Sequence, residues 1–336
     1  MTRLRKPELF DVFARAIADA GWQLIQLTAH GIHPGCFRVF SRTEAYTARV
    51  YIWNLTHGGG VQRPVDEYRI QVTGVSEFRP EPGGLVLILG WWPEAAVFAG
   101  FDFEHHQGPV GASPSIQIRE WCLRRAYTYG MATQVKENKE IAVAFRPDLT
   151  VEYIRNLRAL HTLGRSPRDL EVMTQALAHP QAVNEAFLAA ASRQRRTAVT
   201  SVVRALRASD FKARVLTAYD HRCAVCSLQL DLVDAAHIVP VAHEKSTDET
   251  CNGLALCALH HRAFDHVLVS VDNQYRVVTN QAEMNRLVEI GHDGGANDFL
   301  ARLRPLINLP PAINDRPHIK YLQLGRTLRG WPSQAG

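Results

Sequence analysis

Cys223-Ala-Val-Cys226 and Cys257-Ala-Leu-His260 are two short knuckles, with about thirty residues between them. Three thiolates and one imidazole at this spacing predict a tetrahedral structural zinc site. A thioredoxin-like redox pair would account for Cys223 and Cys226 but leaves Cys257 and His260 unexplained. The other cysteines lack such spacing. Cys36 and Cys122 sit in apolar surroundings and read as small buried hydrophobes, and Cys251 falls in a loop-like stretch.

The segment between and after the knuckles carries a second pattern. It runs Leu232-Val-Asp-Ala-Ala-His237-Ile-Val-Pro240, then Asn252-Gly-Leu-Ala-Leu, then His260-His261-Arg-Ala-Phe-Asp265. The order His237, Asn252, His261, with four zinc ligands interleaved, resembles the HNH endonucleases of the subgroup with AHIVP and HHRAFD segments. The resemblance covers residues 210–276, and the lead-in 211–226 (FKARVLTAYDHRCAVC) is similar to the helix that precedes the motif in that subgroup. It implies a ββα-metal fold, with His237 on the first strand of a hairpin, Asn252 in the loop and His261 on the following helix. It also implies roles. His237 would take the proton from the attacking water. Asn252 would hold the loop. His261 would bind one divalent cation, Mg²⁺ or Mn²⁺, at the scissile phosphate.

The chain departs from that pattern at one point. Where many relatives have an acidic residue or a histidine just before the base, this sequence has Ala236. Asp234 lies two residues earlier and on a strand would project to the same side, so it is the candidate substitute ligand. Its alternative reading is a plain surface carboxylate. Asp265 shares a helix face with His261 and has three readings: metal ligand, partner of His261, or partner of Arg262.

Outward from the motif, the chain of 336 residues predicts an α+β protein. The expected division is a β-rich recognition domain at 1–149, a helical basic connector at 150–208, the nuclease domain at 209–280 and an extension at 281–336. Apolar periodicity predicts a helix over 7–20. Aromatic and β-branched runs predict strands at 22–27, 36–40, 46–53, 67–72, 85–89, 95–103, 115–118 and 141–145. Helices are expected at 119–129, 151–160, 167–178 and 184–191, the third capped at Arg165-Ser166-Pro167. His57-Gly58-Gly59-Gly60 lacks the GK[ST] pattern and is no phosphate loop. Trp53, Trp91, Trp92, Phe101, Phe103, Trp121 and Tyr127 read mostly as core, with one or two available to line a pocket for a flipped base.

Arg193, Arg195, Arg196, Arg204, Arg207, Lys212, Arg214 and Arg222 crowd one segment, opposed by Asp210 and Asp220. Beside a nuclease motif this favours a phosphate-contacting surface over a solvated helical face. The net charge of +5 fits a polyanionic partner without specifying one. No stretch is long and apolar enough to span a bilayer. The charged start without an apolar run behind it argues for a cytoplasmic location.

These readings converge on a restriction-type endonuclease acting on double-stranded DNA, with the first domain selecting the target and modified DNA as one candidate for it. A homodimer is expected, because cutting two strands with single-site protomers takes two of them. The alternative is an HNH effector in bacterial defence, triggered by a ligand or a partner. A binding protein that keeps the zinc module as scaffold is disfavoured, because it has no use for His237, Asn252 and His261 together.

Overall fold

A computed structural model of the chain describes residues 3–58, 64–111, 114–162, 166–189 and 193–331. Gly59, Gly60 and Arg165 therefore lie outside the described residues. The chain separates into two units, Met1–Leu206 and Arg207–Gly336.

The first unit is built on runs that are apolar at consecutive positions. Its elements are α1 (Lys6–Asp19), β1 (Gln23–Gln26), β2 (Gly35–Phe40), β3 (Ala45–His57), β4 (Glu67–Gln71), β5 (Glu77–Phe78), β6 (Leu85–Trp92) and β7 (Val97–Phe101). There follow α2 (Phe103–His106), β8 (Gly108–Pro109), β9 (Ser115–Arg119), α3 (Glu120–Tyr129), β10 (Met131–Val135) and β11 (Ile141–Phe145). The main sheet has the order β1-β2-β3-β6-β7-β11-β10, and β4 branches from β3 to pair with β9. Every pairing in it is antiparallel except β3 with β6.

Such runs arise because the central strands are covered on both faces. On β6, Leu87, Leu89 and Trp91 enter one core while Val86, Ile88 and Trp92 enter the other. On β11, Ile141, Val143 and Phe145 face the first core, and Ala142 and Ala144 the second. The first core is closed by α1 and by helices from the 150–206 stretch, and the second by the β4–β9 ribbon and α3.

Those later helices are α4 (Thr150–Arg155), α5 (Leu157–His161), α6 (Pro167–Ala178), α7 (Glu185–Leu188) and α8 (Arg193–Ala218). Tyr153, Ile154, Leu160, Met173, Ala176, Val199 and Val202 are buried in the first core. Gly100 on β7 is required by this packing, since a Cβ there would lie 2.2 Å from the Tyr153 hydroxyl. The expected helix over 151–160 divides at Asn156, whose side-chain amide donates back to the Glu152 carbonyl at 2.9 Å. Strand β10 was not expected. It pairs with β11 through the turn at Lys136–Lys139.

The second unit takes α8 from Arg207 onward, then β12 (Val233–His237), β13 (Gly253–Cys257), α9 (Ala258–Asp265), β14 (Val269–Val271), β15 (Val277–Thr279), α10 (Gln281–Glu289), α11 (Ala296–Ala301) and α12 (Ile319–Leu328). Helix α8 stops at Ala218 and does not reach Cys226, because Asp220 and His221 take left-handed backbone angles (φ 51° and 52°) that no helix accommodates. β12 and β13 form an antiparallel hairpin with His237 opposite Gly253. The core combines Phe211 and Val215 of α8, Ala236 and Leu254 of the hairpin, Phe264 of α9 and Tyr321 and Leu322 of α12. The fold is α+β throughout. Among the described residues, no helix is long and apolar enough to cross a membrane.

Candidate active site

The turn after α8 makes the first knuckle. The Ser227 amide donates to the Cys223 carbonyl at 2.8 Å and the Ala224 amide to the Ala255 carbonyl at 2.7 Å, tying the knuckle to β13. Strand β13 ends on Cys257, which is also the N-cap of α9, so His260 falls in the first turn of that helix. The four ligand atoms lie within 4.8 Å of one another. Cys223 Sγ is 3.5 Å from His260 Nδ1. Cys257 Sγ is 3.3 Å from the same atom and 3.9 Å from Cys226 Sγ. A tetrahedron with Zn–S of ~2.3 Å and Zn–N of ~2.0 Å has edges of about 3.5–3.8 Å, so the donor set fits a metal ion in both chemistry and size. Burial pushes the Cys223 thiol up to about 12, and a bound cation is what would hold it as thiolate in that apolar setting. Burial likewise lowers the His260 imidazole below its usual value. Among the described residues, this is the one group of three or more His, Cys, Asp or Glu drawn together in this way.

His237 closes β12. Its ring lies flat on Phe211 of α8, with centroids 3.7 Å apart and planes 16° from parallel. Its Nε2 meets Asp248 Oδ1 at 3.2 Å. A carboxylate accepts only, so this bond puts the imidazole hydrogen on Nε2 and leaves the lone pair on Nδ1. Burial lowers the His237 pKa below its ordinary value, and Asp248 opposes that shift. Asn252 is fully buried. Its Oδ1 accepts from the Val239 amide at 3.0 Å and its Nδ2 donates to the Thr247 carbonyl at 2.8 Å. Its own carbonyl accepts from the Ile238 amide at 2.8 Å. One side chain thus ties both ends of the loop that carries Asp248. Arg214 of α8 steadies the same loop by donating to the Asp248 carbonyl at 2.7 Å.

With a strand-borne histidine, a loop-bracing asparagine and a helix-borne histidine in the same domain as a Cys3His donor set, residues 223–272 match the family model described as HNH endonuclease. This segment is an HNH endonuclease domain. The chain is accordingly an enzyme of phosphodiester hydrolysis. Residues 46–154 match a second model, described as Methylase-associated X1. No curated protein matches the chain in sequence. A solved structure titled "Modification dependent TagI restriction endonuclease" is similar at 14% identity, over 82% of this chain and 80% of that one, with a TM-score of 0.29.

Elsewhere in the HNH domain, His261 and Asp234 line one open groove of about 430 Å³, together with Lys212, Asp231, Arg262 and Asp265. His261 Nε2 stands 3.7 Å from Asp265 Oδ2. Asp234 is half exposed and its Oδ1 lies 3.2 Å from Lys212 Nζ. Carboxylate oxygens with one imidazole are a donor set that suits a hard divalent cation. His237 is not among the residues lining this groove.

Part of the basic run is engaged within the protein. Arg195 pairs with Asp169, Lys212 with Asp234 and Arg222 with Asp220, while Arg214 holds Asp248. Sequence reasoning did not find Asp248, which lies 11 residues from His237 in an irregular loop, nor the function of Phe211 within the lead-in helix.

Proposed function

We propose that the protein is a restriction-type endonuclease that cuts double-stranded DNA and that the Met1–Leu206 unit selects the target. The observation that carries this reading is the His237–Asp248 pair, held by buried Asn252 inside an HNH domain. His237 Nδ1 accepts the proton of the attacking water. The water oxygen forms the new bond to phosphorus, the bond to the 3′-oxygen breaks, and the leaving oxygen takes a proton from solvent. Asp248 fixes the tautomer and stabilises the imidazolium that results. His261, with Asp234 as second ligand and Asp265 beside it, would hold Mg²⁺ or Mn²⁺, which when bound would neutralise charge gathering on the phosphate. Cys223, Cys226, Cys257 and His260 would hold zinc as a structural brace.

Within the Met1–Leu206 unit target selection is assigned to residues 1–149, with the helices of 150–206 packed on the same core; residues 209–280 are read as the nuclease and 281–336 as an extension. The Methylase-associated X1 match over 46–154 supports a substrate in which base modification matters. Exposed Trp121 and Tyr127 beside Arg124 on α3 supply an aromatic and basic surface for it. Two protomers acting together would cut both strands.

The test is cleavage with Mg²⁺ or Mn²⁺ of matched duplexes that are unmodified, methylated, hydroxymethylated or phosphorothioated, with His237→Ala as control. Cutting confined to one modified duplex establishes modification dependence. Cutting of unmodified DNA at discrete sites keeps the restriction reading and removes the modification. No cutting of any duplex overturns the proposal and favours a nuclease triggered by a ligand or partner.

A further inference from the structure

Arg329 follows α12, far outside the segment that matches the HNH model. One of its terminal nitrogens donates to the main-chain carbonyl of His237 at 3.1 Å, and the other to that of Ile238. Its guanidinium lies over the ring of Phe264, 4.3 Å from the centroid. Phe264 belongs to α9, the helix that carries His261. The grip falls where the β12–β13 ladder ends, at the His237–Gly253 pair. Helix α12 passes this end of the strand in main-chain contact, since a Cβ on Gly325 would stand 2.4 Å from the Ile238 oxygen. A planar fork with several donors and an apolar face is the group suited to bridging two carbonyls and a ring.

We infer that Arg329 is a positioning residue of the HNH site: it fixes the strand end that bears His237 against the helix that bears His261. The inference rests on the reading of His237 as the base. Arg329 touches no reacting atom. It acts by preventing a displacement of the imidazole, and a shift of 1 Å in a reacting group is enough to cost about 100-fold in rate. Arg326, on the same helix, provides a matched control. It grips the Val271 carbonyl and Asn273 Oδ1 in the same manner, but neither residue belongs to the base strand or to α9.

The experiment compares Arg329→Met, Arg329→Lys and Arg326→Met in the zinc-loaded full chain. Two quantities are read: single-turnover cleavage with DNA affinity, and the ¹H–¹⁵N signals of the His237 ring. Arg329→Met is expected to lower the cleavage rate about 10- to 100-fold with DNA affinity and zinc content unchanged, and to shift or broaden the His237 signals. Arg329→Lys recovers part of the rate. Arg326→Met lowers stability and leaves both readouts as in the wild type. If Arg329→Met and Arg326→Met leave rate and ring signals equally unaltered, Arg329 is structural and the inference is overturned. Should Arg329→Met fail to fold, Arg329→Lys against Arg326→Met decides on the same readouts. If the wild type cuts no DNA, the proposed function fails, yet the ring signals still decide whether Arg329 positions His237.

Discussion

The imidazole of His237 and the ring of Phe211 are stacked at 3.7 Å, so the face of the candidate base is covered by a residue of the preceding helix. The contact orients the ring and contributes to the burial that holds its pKa below 6.5. The base must be neutral to accept a proton. The acid limb of the rate profile is therefore expected below pH 6.5, with the rate lost as pH falls through the lowered pKa. Phe211→Leu uncovers the ring, moves that limb to higher pH and lowers the plateau severalfold. Single-turnover rates against pH check this; an unmoved limb contradicts the role given to Phe211.

Asp248→Asn shifts the limb in the opposite direction. The carboxylate raises the His237 pKa against the effect of burial, so its removal lets the pKa fall further. An amide can also present its nitrogen to Nε2 and favour the wrong tautomer. The plateau is expected to drop about 10- to 100-fold, short of the roughly 100- to 10,000-fold contributed by general-base catalysis itself, because His237 remains. The same pH series, run beside the Phe211 variant, shows whether the two limbs part.

Gly253 faces His237 across the hairpin, and a Cβ there would meet Val215 Cγ2 at 2.4 Å and Phe211 Cζ at 2.9 Å. Gly253→Ala must push α8 outward. The expected cost is about 1–3 kcal/mol of stability, as for other overpacked cores, together with a loss of cleavage that exceeds that of a remote mutation of equal cost. Denaturant unfolding and cleavage rates, measured on the same samples, separate the two effects.

Cys257→Ser removes a ligand from the cluster and an anchor from the N-terminus of α9. Structural zinc supplies about 10–16 kcal/mol to small zinc modules, as much as the entire net stability of a typical domain. Calorimetry should therefore show the melting of the Arg207–Gly336 unit abolished and that of Met1–Leu206 retained, with one zinc per chain lost. A second unit that still melts cooperatively without metal would contradict this.

For the groove, His261→Ala is expected to raise the Mg²⁺ or Mn²⁺ concentration for half-maximal cleavage at least 10-fold, the scale of losses when metal-site groups are removed. Asp234→Asn is expected to raise it less, because Asp234 is half exposed and already paired with Lys212. Metal titrations of the two variants rank the ligands, and an equal or larger effect at Asp234 would reverse the order.

What was legible in the sequence follows chain distance. The knuckles and the order His237, Asn252, His261 are local patterns whose spacing reports geometry directly. The central strands of the first unit were legible because burial on both faces leaves continuous apolar runs, as in 85–89 and 141–145. β10 escaped because Met131–Val135 is only half covered, with pattern buried, buried, then partly exposed and exposed. Asp248, Phe211 and Arg329 reach His237 by folding, across 11, 26 and 92 residues, and nothing in a periodicity records such meetings. Asn156 stands at the break in an expected helix and donates its side-chain amide to the Glu152 carbonyl, a local contact that apolar spacing does not register.

The distance of 92 residues between His237 and Arg329 also orders events in time. Synthesis delivers both knuckles, the base and its carboxylate partner well before the residue that clamps them. A nascent chain whose zinc module has already closed would thus still lack its clamp, and full cutting competence would arrive only with the last helix.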